Sequence, residues 1–326
     1  MPQARKPEWR DLNFFTSALH LMHQDVRPPS LDPVAVARWQ ALPAAEGASP
    51  WLHEEVASRM QQRLDFITLQ PRQWVDWEPL RGGLAAHRAL KSRYPKAEAW
   101  LACAQPQHAQ VAQQALQGRW WQASRWLGPR MHQGLPPDHS AHMLWANMQL
   151  HAATDPQTLL QTWHRTLAVD GFLMFSCFGP DTLRELRQAY AQAGWPEPAH
   201  EFTDMHDWGD MLVHAGFAEP VMDMERITLT YATPDTLLAE LRGLGRNFHV
   251  RRFAGLRGRA WRKKLSEVLL TLARTEEDGR LSLSFEIVYG HALKPKPRQK
   301  RGPETAIELD QMRQMLRSSA NKRDKV

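Results

Sequence analysis

Between Ser140 and Leu186 two short, nearly continuous apolar runs flank a segment whose apolar positions recur near every 3.6 residues. The run His142-Met-Leu-Trp-Ala-Asn147 reads as a buried strand. Asp155-Pro156 then opens a helix, with Asp155 as cap and Pro156 at its first position, and Leu159, Leu160, Trp163 and Leu167 fall on one face. Asp170-Gly171 reads as the helix end, and Phe172 to Phe178 follows without a charge, as in a strand covered on both faces. Strand, helix and strand together predict a parallel crossover unit.

The rest of the chain extends that unit. Leu52, Val56, Met60, Leu64 and Ile67 recur at three- and four-residue steps and predict a helix beginning near Trp51. A first strand over residues 73–77 leads to a helix over 82–93, a second strand over 97–104, a helix over 107–116 and a third strand candidate over 119–123. Beyond Leu186 come a helix over 207–214 ending at Gly216, a strand over 221–231, two helices over 235–244 and 259–274, and a strand over 282–291 reached through Asp278-Gly279. This order predicts an α/β protein with a Rossmann-like, mostly parallel seven-stranded sheet, an antiparallel last strand and a helical insertion at about 233–280 before it. Residues 1–48 read as an extension and linker, with a short helix from Asp32-Pro33 through Trp39. Residues 49–293 read as the main domain and 294–326 as a basic, disordered tail.

Composition narrows the class. The 326 residues are 43% hydrophobic and 23% charged, and no apolar run approaches the roughly 20 residues of a membrane helix. The N-terminus lacks a secretory pattern, so a cytoplasmic protein without a membrane partner is expected. Cys103 and Cys177 each lie in an apolar strand pattern and read as two buried free thiols. The formal charge of +6 resides wholly in residues 294–326, which hold ten Lys/Arg against four Asp/Glu. That tail reads as a solvated end, with nucleic-acid association as the alternative.

Several segments carry a resemblance. Leu167-Ala-Val-Asp-Gly-Phe-Leu-Met-Phe-Ser and Phe178-Gly-Pro-Asp-Thr-Leu-Arg-Glu-Leu resemble the fourth- and fifth-strand region of S-adenosylmethionine-dependent methyltransferases. Asp204-Met-His-Asp-Trp-Gly-Asp, Ala215-Gly-Phe, Pro220-Val-Met-Asp-Met-Glu and Tyr289-Gly-His-Ala narrow the resemblance to the malonyl-carrier O-methyltransferases of biotin synthesis. It implies S-adenosylmethionine as cofactor, no metal, an acidic acyl carrier protein as partner, and methyl transfer to the free carboxylate of a carrier-bound malonyl thioester. Two alternatives stay open: a non-catalytic descendant that binds a partner, and a nucleic-acid-associated protein acting through its tail.

In that family an Asp-x-Gly-x-Gly-x-Gly turn follows the first strand. Here it is Asp76-Trp77-Glu78-Pro79-Leu80-Arg81-Gly82, so Glu78 and Leu80 stand where two glycines belong. A side chain at a position needing positive φ costs on the order of 1 kcal/mol or more. The acid expected at the end of the second strand is replaced by Cys103-Ala104-Gln105, and no Asp or Glu occurs between Glu98 and Asp138. Weak cofactor binding is therefore expected. The resemblance assigns Asp76, Gly82, Gly83, Gln105 and Asn147 to the cofactor site and leaves the catalytic residues unknown.

The remaining charge pattern points to a partner. Residues 242–264 carry nine cations and no acid, and Arg251, Arg252, Arg259 and Lys263 are the expected carrier-binding groups. Asp204-Met-His206-Asp207 reads as a helix start rather than a metal cluster, and Trp120, Trp121 and Trp126 read as aromatics at a sheet edge.

Overall fold

A computed structural model of the chain describes residues 30–43, 49–117, 129–253, 255–274 and 278–297. The chain divides into two units, residues 1–295 and 296–326, and all but the first two residues of the second lie outside the described part. The expected strand over 119–123, the tryptophans at 120, 121 and 126, and nearly all of the basic tail also lie outside it.

The helices are α1 (Pro33–Ala41), α2 (Trp51–Arg63), α3 (Pro79–Gly82), α4 (Leu84–Arg93), α5 (Pro106–Leu116), α6 (Pro156–Thr166), α7 (Arg184–Gln192), α8 (Met205–His214), α9 (Pro234–Leu244) and α10 (Arg259–Leu270). The strands are β1 (Gln73–Trp77), β2 (Glu98–Ala102), β3 (Met131–Gln133), β4 (Ala141–Ala146), β5 (Leu167–Phe178), β6 (Ala218–Tyr231), β7 (Ala273–Arg274) and β8 (Arg280–Leu293). They form one sheet in the order β3-β2-β1-β4-β5-β8-β6, with β7 paired to β8. The pairs from β3 to β5 are parallel, and β8 runs antiparallel to β5, β6 and β7.

Side chains alternate across the strands and build a core on each face. Trp74, Met143, Trp145, Phe172 and Phe285 pack with Leu52, Val56 and Met60 of α2, Leu90 of α4, and Leu265 and Leu269 of α10. Val75, Leu144, Leu173, Phe175 and Cys177 pack on the other face with Leu160 and Trp163 of α6 and Trp208 and Leu212 of α8. The outer strand β6 is held to α2 by ion pairs of Arg59 with Glu225 at 2.8 Å and Arg63 with Asp223 at 2.5 Å.

Three expectations change. Asp170-Gly171 does not end α6, which stops at Thr166. The pair forms an irregularity inside β5, with Asp170 at φ 61° and the register against β4 shifting between Ala141 and Met143. A Cβ on Gly171 would stand 2.9 Å from the Ala168 carbonyl oxygen, so the close approach of backbone explains the glycine. The helix expected over 259–274 ends at Leu270, because 273–274 pairs with Leu281 and Arg280 as β7. Met131–Gln133 supplies a strand that no apolar run announced.

Among the described residues, no helix is long and apolar enough to cross a membrane.

Candidate functional site

The strand order reverses between β1 and β4: β1 leads outward to β2, and β4 leads outward to β5. The C-terminal ends of strands at such a reversal part and leave a crevice. A cavity of about 350 Å³ occupies this position, lined by Trp77 and Glu78 at the end of β1, Ala104 and Gln105 after β2, Gln149 and Ala152 to Asp155 after β4, Leu159 of α6 and Trp39 of α1.

The loop after β1 keeps the backbone of a glycine turn without the glycine. Glu78 sits in the left-handed region at φ 54° and ψ 53°, where a non-glycine side chain is strained. Its Oε1 accepts a hydrogen bond from the Ala104 backbone at 2.5 Å, while its Oε2 is buried without a partner among the described residues. Burial raises the Glu78 carboxyl above the usual range, partly offset by the Ala104 amide and Arg81. Leu80 takes no part in the crevice. It is buried with Leu84, Leu101, Ala112 and Leu116.

The residues expected to hold cofactor have different fates. Gln105 lines the cavity. Asp76 is 2% exposed and its carboxylate accepts from His87 Nδ1 at 2.7 Å, so it anchors β1 to α4 beneath the crevice. Asn147 is fully buried: its Nδ2 donates to the carbonyls of Gly82 and His53, and its Oδ1 accepts from Ser176. Gly82 has Asn147 packed against it, with that residue's carbonyl oxygen 3.1 Å from where a Cβ would lie. Gly83 adopts φ 141° with Glu54 3.0 Å from its own Cβ position. The latter four therefore lock the floor of the crevice rather than line its cavity. His53 belongs to the same lock, donating from Nδ1 to the Arg81 carbonyl at 2.8 Å, and burial pushes it down to about 4.

A second cavity, of about 230 Å³, adjoins the first, since Trp39 and Ala152 line both. Phe178, Leu186, Phe202, Leu238, Phe248 and Phe285 make it apolar. His151 and His200 face it, and burial holds both imidazoles neutral, His200 down to about 4 and His151 well below the ordinary value. Arg242 and Arg246 stand at the same cavity, both exposed.

The expected carrier-binding cations are not arranged alike. Arg252 is tied to Asp32, which holds that carboxyl below its usual range, and it fastens α1 rather than presenting a free charge. Arg251, Arg259 and Lys263 are exposed, and none of them lines either cavity. Arg242 and Arg246 were passed over, although they belong to the same basic block. Trp39 was missed too, because its role arises only when α1 folds back onto the crevice through Phe248. Among the described residues, no group of acids, histidines and cysteines is placed to hold a metal ion.

This sheet order, with its switch-point crevice and antiparallel closing strand, defines the Rossmann-like methyltransferase fold. No family model matches the chain. Proteins named malonyl-acyl-carrier-protein O-methyltransferase do match: that of Gallionella capsiferriformans is 40% identical over 79% of this chain and 90% of its own length. The protein of that name from Laribacter hongkongensis is 38% identical over 77% of this chain and 85% of its own. That from Nitrosospira multiformis is 38% identical over 76% and 84%. The chain belongs to the malonyl-acyl-carrier-protein O-methyltransferase family.

Proposed function

We propose that this protein uses S-adenosylmethionine to methylate the free carboxylate of a malonyl thioester carried on acyl carrier protein, a step of biotin synthesis. The observation that carries the reading is the pair of adjoining cavities, one polar and aromatic at the strand ends and one apolar with two arginines beside it. Donor and acceptor must meet in line, and a shared wall at Trp39 and Ala152 allows it.

The residues present fit a nucleoside-bearing sulfonium. A volume of about 350 Å³, indole walls at Trp39 and Trp77, amides at Gln105 and Gln149, and a buried carboxylate oxygen without a partner among the described residues suit a ligand with an aromatic base and hydroxyl groups. When bound, that group supplies an activated methyl, so the protein need not provide a base. The chain's own part is positioning: Phe178, Phe202 and Phe285 exclude water around the acyl arm, and neutral His151 and His200 leave the wall uncharged. Arg242 and Arg246 meet the anionic end of the arm or its carrier.

Genetic rescue tests the reading. A bacterium deleted for its own malonyl-carrier methyltransferase should regain growth without biotin when this chain is expressed. Soluble expression without rescue would count against it.

A further inference from the structure

The absence of acids along residues 99–137 is not an absence in space. Glu78 leaves β1 in a strained left-handed turn and sends its side chain to the end of β2, where Oε1 caps the Ala104 amide. Its Oε2 is buried, has no partner among the described residues, and lies 4.0 Å from His108 Nδ1, too far for a hydrogen bond. A buried carboxylate oxygen without a donor is costly unless something else supplies one. Trp39, Trp77, Gln105 and His108 line the same cavity as Glu78.

We propose that Glu78 is the hydroxyl-binding residue of the crevice: its carboxylate accepts hydrogen bonds from the adjacent ribose hydroxyls of a nucleoside ligand whose base lies among the indoles. The chemistry selects that ligand class. A carboxylate is acceptor-only and can take two hydroxyl donors, which phosphate or another carboxylate cannot offer. The aromatic walls favour a flat base. Oε1 already anchors the side chain on β2, so little rotamer freedom is lost when Oε2 is engaged. The strain at φ 54° is then retained for a binding purpose. This inference rests on the methyltransferase reading and assigns to Glu78 a role in it.

The test is equilibrium calorimetry of the full chain with S-adenosylhomocysteine and with its analogue lacking both ribose hydroxyls. Charge-assisted hydrogen bonds of this kind predict that the wild-type protein prefers the hydroxylated compound by about tenfold or more. Glu78→Gln should reduce that preference to about twofold, and Glu78→Gly, which suits the left-handed turn, should lose it while keeping the fold. Equal affinity for both compounds in the wild type, or a preference untouched by either variant, would overturn the role of Glu78 and leave the methyltransferase reading standing. Binding by Glu78→Gly alone would also overturn it, by identifying Glu78 as a plug. No binding by any form would overturn the nucleoside reading of the crevice itself.

Discussion

The guanidinium carbon of Arg81 lies 3.6 Å from the centre of the Trp39 ring, and its Nη2 donates to the Trp39 carbonyl at 2.8 Å. Through this pair the loop after β1 holds the α1 helix over both cavities. Trp39 is 9% exposed, and it also meets the edge of Phe248 at 5.7 Å.

Trp39→Ala should therefore remove a shared wall and loosen α1. We expect a loss of about 3 kcal/mol, at the lower end for a large buried aromatic because the site borders a cavity that can relax. Affinity for S-adenosylhomocysteine should fall on the order of tenfold. Urea unfolding and calorimetry check the two effects, and a variant indistinguishable from wild type in both would remove Trp39 from the site.

Arg242 and Arg246 give a cleaner charge test than Arg252, whose reversal would also break its bond to Asp32. The double reversal to Glu should cost about 1 kcal/mol of stability, since both side chains are exposed but Arg246 donates to the Arg242 and Gly245 carbonyls at the end of α9. It should raise KM for the malonyl carrier on the order of tenfold at low salt, with the difference shrinking as salt increases. Steady-state kinetics across a salt series decides this. An unchanged KM would move the carrier contact elsewhere.

His200 makes the fold sensitive to acid. Its Nε2 donates to the His151 carbonyl at 3.2 Å, its Nδ1 is buried without a partner among the described residues, and burial pushes it down to about 4. At pH values about a unit or more above 6.5 the imidazole is neutral in folded and unfolded chains alike, and its contribution is complete. As pH falls from there toward 4, only the unfolded chain takes up the proton, so stability declines by about 1.4 kcal/mol per unit. Buried Asp76 and Glu78, raised by desolvation, act in the opposite sense, so the comparison must be with a variant. Between pH 7.5 and 5, His200→Gln should lose about 2 kcal/mol less than wild type. Parallel denaturation profiles would show that His200 stays accessible to protons.

Much of the sheet was legible because its strands and helices carry clear periods. Asp155 caps α6 through the Thr158 amide as its position before Pro156 implied, and Asp278 and Gly279 both take positive φ, as an Asp-Gly turn demands. What failed depended on contacts between distant segments. Asp-Gly serves a helix end and a kink within a strand equally well, and only the packing of Gly171 against Ala141 chose the latter. Met131–Gln133 is too short for a period to emerge. In the site, Gln105 was legible from its position after β2, whereas Trp39 was hidden by its distance in sequence from everything it touches. Glu78 was read as a lost glycine, because the reach of its carboxylate to Ala104 exists only once β1 and β2 lie side by side.

Methyl transfer to the malonyl carrier is read from the mass of the product. Purified protein incubated with S-adenosylmethionine and malonyl-acyl carrier protein should add one methyl group to the carrier's malonyl thioester, and none to acetyl-acyl carrier protein, which lacks the free carboxylate. A malonyl carrier of unchanged mass, with a protein that is folded and supplied with donor, would contradict it.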